Sequence, residues 1–397
     1  MRCDNDCATF AGASISLVAI FAASAAPIPL YNFYRLEDGL SYSHLSLSAV
    51  FYFVGAIFAL LIFGRLSSFI GRRLVSLLAI CLAALACLIL MTVHSPQPLM
   101  VGRLLQGLAC GLASTALSAW LIDTAPASPA WLSSFVTSCG PMTGLTIGVL
   151  VAGVMVDFSG LARHLMFAII FMILLLCVAL VVRGRETIAR QHGALISLRP
   201  EFALPISSRR AYPAAAWVFV STWAFGGFYQ AFGPAMAKEQ MHSVSAVAAG
   251  AVFASLMAPS LVGAYLAGRL KSVQAQRWGI SLFALAVGGT ALALAQERLS
   301  YFLVASTLAG VAQGLTLTGS IQTMVDGISA EERAGVMSVI YATSYCGAAF
   351  PTLVAGQLAN HVNLWQLATV YCVLAFVGSC AVMLLTRTNR TISIVPD

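Results

Sequence analysis

Twelve apolar runs, each long enough to cross a bilayer, follow one another along the 397-residue chain and leave little room for anything else. A helix that crosses the hydrocarbon needs about 20 mostly apolar residues. By that measure the spans fall near 9–34, 44–63, 74–93, 99–123, 131–156, 163–183, 213–236, 244–267, 278–296, 299–325, 334–358 and 364–386. An open sheet cannot leave unpaired backbone in lipid, so each run is read as a helix. The expected fold is an all-α membrane protein with twelve transmembrane helices. Composition agrees, since 9% of residues are charged and 60% hydrophobic, against roughly a quarter charged in a soluble chain. An ordinary soluble enzyme is excluded.

The formal charge of +7 could suggest a nucleic-acid partner. Most Lys and Arg, however, sit in short links between apolar runs, which is how membrane topology is encoded. With the N-terminus inside, the inside links carry Arg65, Arg72, Arg73, Arg183, Arg185, Arg190, Arg209, Arg210, Arg269, Lys271 and Arg277, among others. The outside links carry only Arg35, Arg163, Lys238 and Arg298. Both termini are therefore expected in the cytoplasm, and short loops suit a bacterial inner membrane. No nucleic-acid partner is expected. The first apolar run is longer than a signal-peptide core and reads as a span. Most of the ten cysteines lie inside apolar runs, where Cys packs as a small hydrophobe. No metal, cofactor or catalytic constellation is expected.

A short basic link, GRLSSFIGRR at 64–73, returns as GRLKSVQAQR at 268–277, each copy lying between two apolar runs. Repeats decide architecture. They predict two six-helix pseudo-symmetric bundles, 1–183 and 212–397, the second ending in a short cytoplasmic tail, joined by a cytoplasmic link at 184–211. That link is rich in Arg and holds Pro200 and Pro205. It reads as a tether, or as a short amphipathic helix on the membrane surface.

Twelve spans, a central link and a repeated basic link resemble the major facilitator superfamily over essentially the whole chain. In the first link, Gly64, Leu66, Gly71, Arg72 and Arg73 match that family's Gly-x-Leu-Ala-Asp-Arg-x-Gly-Arg-Arg/Lys loop. Ser68 stands in place of the usual Asp, and Phe69 in place of the following Arg. Arg103, Gln106, Gly107 and Gly111 resemble the Arg-x-x-Gln-Gly pattern of its fourth span. Gly140, Pro141 and Gly144 resemble a Gly-Pro-x-x-Gly pattern of exporters that work by antiport, with Leu145 replacing the second Gly. The resemblance implies a transporter and not an enzyme, exporting small amphipathic organic molecules by proton antiport with alternating access. The alternative is a facilitator, or a proton-coupled importer, of a small and possibly anionic metabolite. The implied partners are a small-molecule substrate, protons and the lipid bilayer, and a monomer is expected.

Individual residues suggest how such a protein would work. Gly64 and Gly71 permit a tight reversal, and Asp123 ends the fourth span on the same side as Arg72 and Arg73. Asp326 repeats this at the end of the tenth span, beside Arg269, Lys271 and Arg277. These charges either latch helix ends in one conformation or only anchor topology. With Ser68 replacing the acid, the negative charge of any latch is expected from Asp123 and Asp326. Gly140, Gly144, Gly148 and Ala152 put a smooth stripe on one face of span 5, and Pro141 allows a kink. That stripe either gates the pathway or only packs.

Arg103 is the one charge placed inside a span. It is read as a cavity-facing cation, or as a shallow side chain that snorkels outward. No carboxylate falls mid-membrane, so proton coupling rests on the resemblance, with Asp157, Asp123 and His44 as peripheral candidates. A cavity is expected between the halves near the midplane. Its candidate liners are Asn32, Trp120, Trp223, Tyr229, Gln230, Tyr265, Gln313, Gln322, Tyr341 and Tyr345, with Arg103 and Gln106 as further substrate or coupling candidates. Aromatic walls with scattered amides suit an uncharged amphipathic ligand. Gln313-Gly314-Leu315 echoes Gln106-Gly107-Leu108.

Overall fold

The computed structural model describes residues 2–126, 131–158 and 162–392, so residues 393–397 of the expected tail lie outside the described residues. Every regular element among them is helical. The long helices are α1 (Arg2–Ala25), α2 (Tyr42–Phe63), α3 (Arg72–Leu90), α4 (Pro96–Asp123), α5 (Leu132–Phe158) and α6 (Ala162–Arg183). They continue as α7 (Ile206–Ala235), α8 (Ala246–Met257, resuming as Ser260–Ala267), α9 (Ser272–Ala295), α10 (Leu299–Val325), α11 (Ala330–Leu358) and α12 (Leu364–Ile392). Eleven of these spans are long and apolar enough to cross a membrane. The exception is α7, where Trp217, Trp223, Tyr229, Gln230 and several glycines dilute the aliphatic content. Its 30 residues still suffice in length.

Prolines decide where the long runs break. The first span, expected to be continuous over 9–34, stops at Ala25 and resumes as a 3₁₀ turn (Ile28–Leu30) and a short helix (Tyr31–Leu36). Pro27 and Pro29 lack the N–H groups that would bond back to the preceding turn. Pro259 interrupts α8 in the same way. After Pro234, α7 widens into a π-turn (Met236–Gln240).

The chain forms two compact units, Met1–Pro200 with Ser245–Gly250, and Glu201–Val244 with Ala251–Asp397. In the first, α1 packs on α4, α5 and α6, and α4 packs on α2 and α3, while α3 also meets α6. In the second, α7 packs on α10, α11 and α12, α10 on α8 and α9, and α9 on α12. Each of these six pairings in the first unit thus recurs in the second, six helices later. The Gln-Gly-Leu echo explains part of this. A methyl on Gly107 would overlap the Tyr52 carbonyl of α2, and one on Gly314 would overlap the Ser260 carbonyl of α8. Both crossings need backbone-to-backbone contact.

The link between the units departs from the expected tether. α7 begins at Ile206, inside the stretch expected to be linker, and residues 184–191 are bonded to the first unit. Trp120, a candidate cavity liner, instead donates from Nε1 to the Arg185 carbonyl at 3.0 Å. Its ring lies where any side chain on Gly184 would have to go.

Candidate functional site

The basic link at 64–71 closes on a carboxylate that sequence reasoning missed. Gly71 is in a backbone conformation open only to glycine, at φ +106°. It precedes α3, whose first N–H groups have no partner within the helix. Glu186, from the central link, supplies one. Its Oε1 accepts from the Arg72 amide at 2.8 Å and its Oε2 from the Arg73 amide at 3.0 Å. The same carboxylate accepts from the Thr187 and Ile188 amides. A negative group at a helix N-terminus also meets the positive end of its dipole. A Cβ on Gly71 would come within 2.5 Å of Glu186 Oε2, so glycine is needed for space as well as for φ.

Around this cap the expected charges assemble. Arg72 Nε pairs with Asp123 Oδ2 at 3.1 Å, and Arg72 Nη1 donates to Ser67 Oγ at 2.8 Å and Ser68 Oγ at 3.2 Å. Asp123 also accepts from Thr187 Oγ1 at 2.9 Å. Arg73 Nη1 reaches the Val182 carbonyl, and Gly64 ends α2 just before the turn. Ser68 is thus an acceptor for the arginine, and the acids come from α4 and the central link. The second unit does not repeat this network. Arg269 donates to the Tyr265 hydroxyl at 2.5 Å, and Arg277 Nε points to Met383 Sδ at 3.3 Å. Among the described residues no ion pair joins Asp326 to Arg269, Lys271 or Arg277.

Arg103 does not snorkel. It is 1% exposed and buried against the end of α1. Its Nη1 donates to the Ser24 carbonyl at 2.6 Å and to Gln106 Oε1 at 2.8 Å, while Gln106 Nε2 donates to the Ala23 carbonyl at 2.7 Å. The guanidinium also lies 4.6 Å from the centre of the Tyr52 ring. These carbonyls belong to the last turn of α1, where the proline break leaves them without helical partners. Arg103 and Gln106 therefore cap α1 from the neighbouring helix, and the cation sits at the negative end of that helix. No signal in the sequence separated this role from a cavity-facing one.

The stripe on α5 packs against α1. A methyl on Gly144 would stand 2.5 Å from the Val18 carbonyl and 2.8 Å from Phe21 Cβ, and one on Gly140 would be 3.0 Å from Leu17. Pro141 lies inside the helix without ending it.

In the second unit, Trp223 of α7 and Tyr345 of α11 lie 4.7 Å apart between ring centres. Two helical turns along from Trp223, Gln230 is 7% exposed, and Gln313 on the adjoining α10 is 8% exposed. Neither Gln230 Nε2 nor Gln313 Oε1 has a hydrogen-bond partner among the described residues. Leaving a buried amide group unsatisfied costs about 1–3 kcal/mol. Tyr341 is half-buried on the same helix as Tyr345, and Asn32 is half-buried on the short helix after the α1 break. Tyr229 is a packing residue, stacked on Phe302 and bonded to Ser306.

A long-helix bundle in which two units repeat the same six pairings, with broken helices beside buried polar groups, defines a membrane transporter built from an internal repeat. The sequence profile of the Major Facilitator Superfamily matches residues 13–352, and the chain belongs to that superfamily. It is a multi-pass membrane protein that transports a small molecule, and not an enzyme. No curated protein sequence matches it significantly. Among solved structures, a crystal structure of the nucleoside transporter NupG, in a mutant form, is similar with a TM-score of 0.72. The match is 12% identical in sequence and covers 95% of this chain and 99% of that one. At that identity the likeness establishes the shared fold.

Proposed function

We propose that this transporter exports a small, uncharged, amphipathic organic solute by proton antiport with alternating access, from a bacterial inner membrane in which both termini face the cytoplasm. The observation that carries the substrate class is the pair of buried, unpartnered amides, Gln230 and Gln313. One has a free donor and the other a free acceptor, on helices that pack together. Arg103, the cation that favoured an anionic substrate, is already committed to the end of α1. Trp223 and Tyr345 add aromatic surface, which suits a ring-bearing solute. The direction of transport rests on the exporter-type Gly140-Pro141-Gly144 pattern and its backbone-close seat on α1.

Import of a nucleoside-like solute is the second reading. It is favoured by the same amide and aromatic chemistry together with the fold shared with a nucleoside transporter. Ligand-induced stabilisation of the purified protein tests the substrate class, with a panel containing uridine, neutral aromatic lactams and organic anions. A neutral ring compound should stabilise the wild type. Gln230→Leu and Gln313→Leu should each abolish that shift while leaving the unliganded protein at least as stable, because a buried orphan is removed. Stabilisation by anions alone would overturn the reading. For the hit, proteoliposomes with an imposed pH gradient decide direction and coupling. Accumulation driven by a gradient of the import sense, or indifference to pH, would reject proton-driven export.

A further inference from the structure

At the end of the first unit opposite the Glu186 cap, three residues from three separate segments converge. Asp38 follows the short helix after α1, His94 lies between α3 and α4, and Arg163 opens α6. Arg163 Nη2 pairs with Asp38 Oδ2 at 2.5 Å, and both side chains are nearly buried, at 7% and 6% exposure. Arg163 Nη1 also donates to the Val93 carbonyl. Phe33 and Tyr34 cover the guanidinium, with ring centres 4.7 and 5.3 Å from it. His94 stands at the edge of the pair, 72% exposed to the medium.

One nitrogen of His94 faces both members of that pair. Nδ1 is 3.0 Å from Arg163 Nη1 and 3.1 Å from Asp38 Oδ1. The two contacts require different protonation states. Arg163 can only donate, so it needs an Nδ1 with a free lone pair, whereas the Asp38 carboxylate can only accept, so it needs an N–H. We propose that Asp38, His94 and Arg163 form a proton-binding site in which His94 Nδ1 exchanges partners. In the neutral imidazole, with its proton on Nε2, Nδ1 accepts from Arg163. A proton taken from the medium onto Nδ1 breaks that bond and forms a new one to Asp38 Oδ1. Asp38 then holds two cations, and Arg163 loses one of its two ties to the link between α3 and α4, keeping the Val93 carbonyl.

The surroundings leave this exchange to these three groups. Arg35, on the short helix, lies over the Tyr42 ring at 3.8 Å. Glu37 and His164, the other titratable groups on the two flanking segments, are exposed. Tyr34 meets the Arg163 guanidinium with its ring face. His44 bonds through its own Nδ1 to the Ser41 amide as part of the cap of α2. His is also the side chain that ordinarily changes charge between pH 5 and 8. Among the described residues no carboxylate lies in the middle of a long helix, so this cluster offers a protonatable group that touches three segments of one bundle. Its use in a transport cycle rests on the proton-coupled reading above; the protonation itself does not.

Nitrogen-15 NMR of the full-length protein in detergent, labelled at histidine, tests the exchange. The signals lost in His94→Gln belong to His94. At high pH Nδ1 should appear unprotonated and Nε2 protonated, and on acidification Nδ1 should gain a proton. Asp38→Asn should displace that titration to lower pH, and Arg163→Gln to higher pH. An Nδ1 that carries its proton at every pH overturns the proposal, as does a titration that neither substitution moves. If both variants misfold, the wild-type protonation pattern alone still decides. A wild-type titration of the expected form, with transport indifferent to pH, would retain the site and reject the coupling.

Discussion

Glu186 lies 114 residues from the amide it caps, and its carboxylate carries out what a Ser, Thr or Asp beside Gly71 would ordinarily do. Glu186→Ala should therefore lower stability by about 1–2 kcal/mol, read as an earlier thermal unfolding in detergent. Gly71→Ala should cost at least as much, because it adds a strained φ and a clash with that carboxylate. Glu297 is a contrasting case. It follows α9 at φ +57°, with its amide bonded to the Leu294 carbonyl and the Arg298 amide to the Ala293 carbonyl. That is the helix ending in which glycine is usual. Its partner is an exposed His242, and such a pair contributes little. Glu297→Gly should stabilise the protein by about 0.5–1 kcal/mol, and a lower melting temperature would contradict this. Arg103→Lys should destabilise by about 1–3 kcal/mol, since an ammonium cannot keep the guanidinium's geometry toward Ser24 and Gln106.

At the scale of elements, helix crossings in lipid depend on small residues, because hydrocarbon tails are as apolar as leucine and cannot drive association. Gly107→Val and Gly314→Val should each prevent the α2–α4 or α8–α10 crossing and reduce the yield of folded monodisperse protein in size-exclusion chromatography. Gly144→Leu acts on the α1–α5 contact, which involves a single stripe. Normal membrane insertion with transport lost would assign that contact to gating, and loss of both would assign it to packing. Length and apolarity made the helices legible in the sequence, and the proline positions in α1 and α8 coincide with their breaks. The consequence of the α1 break was not legible. It exposes two carbonyls that only a side chain on a packed neighbour can satisfy, and adjacency of α1 and α4 is not written in local sequence.

For the whole molecule, the ion pair between Arg72 and Asp123 is partly exposed, at 13% and 27%, so by itself it contributes about 0–1 kcal/mol. Its weight comes from the network with Glu186, Thr187, Ser67 and Ser68. Asp123→Asn should impair transport measurably, whereas Asp326→Asn should have little effect, because no equivalent ion pair is present among the described residues of the second unit. Equal effects in a transport assay would indicate that the second network forms in another conformation. The sequence by itself determined the helices, their number and the repeat, because hydrocarbon admits few backbone solutions and small residues mark where helices cross. Tertiary structure decided the roles of the charges. Arg103 became a cap, Glu186 completed the link at 64–73, and Asp38, His94 and Arg163 met at the opposite end. A buried or bonded charge takes its meaning from partners that lie tens of residues away in the chain, and those partners are chosen by packing.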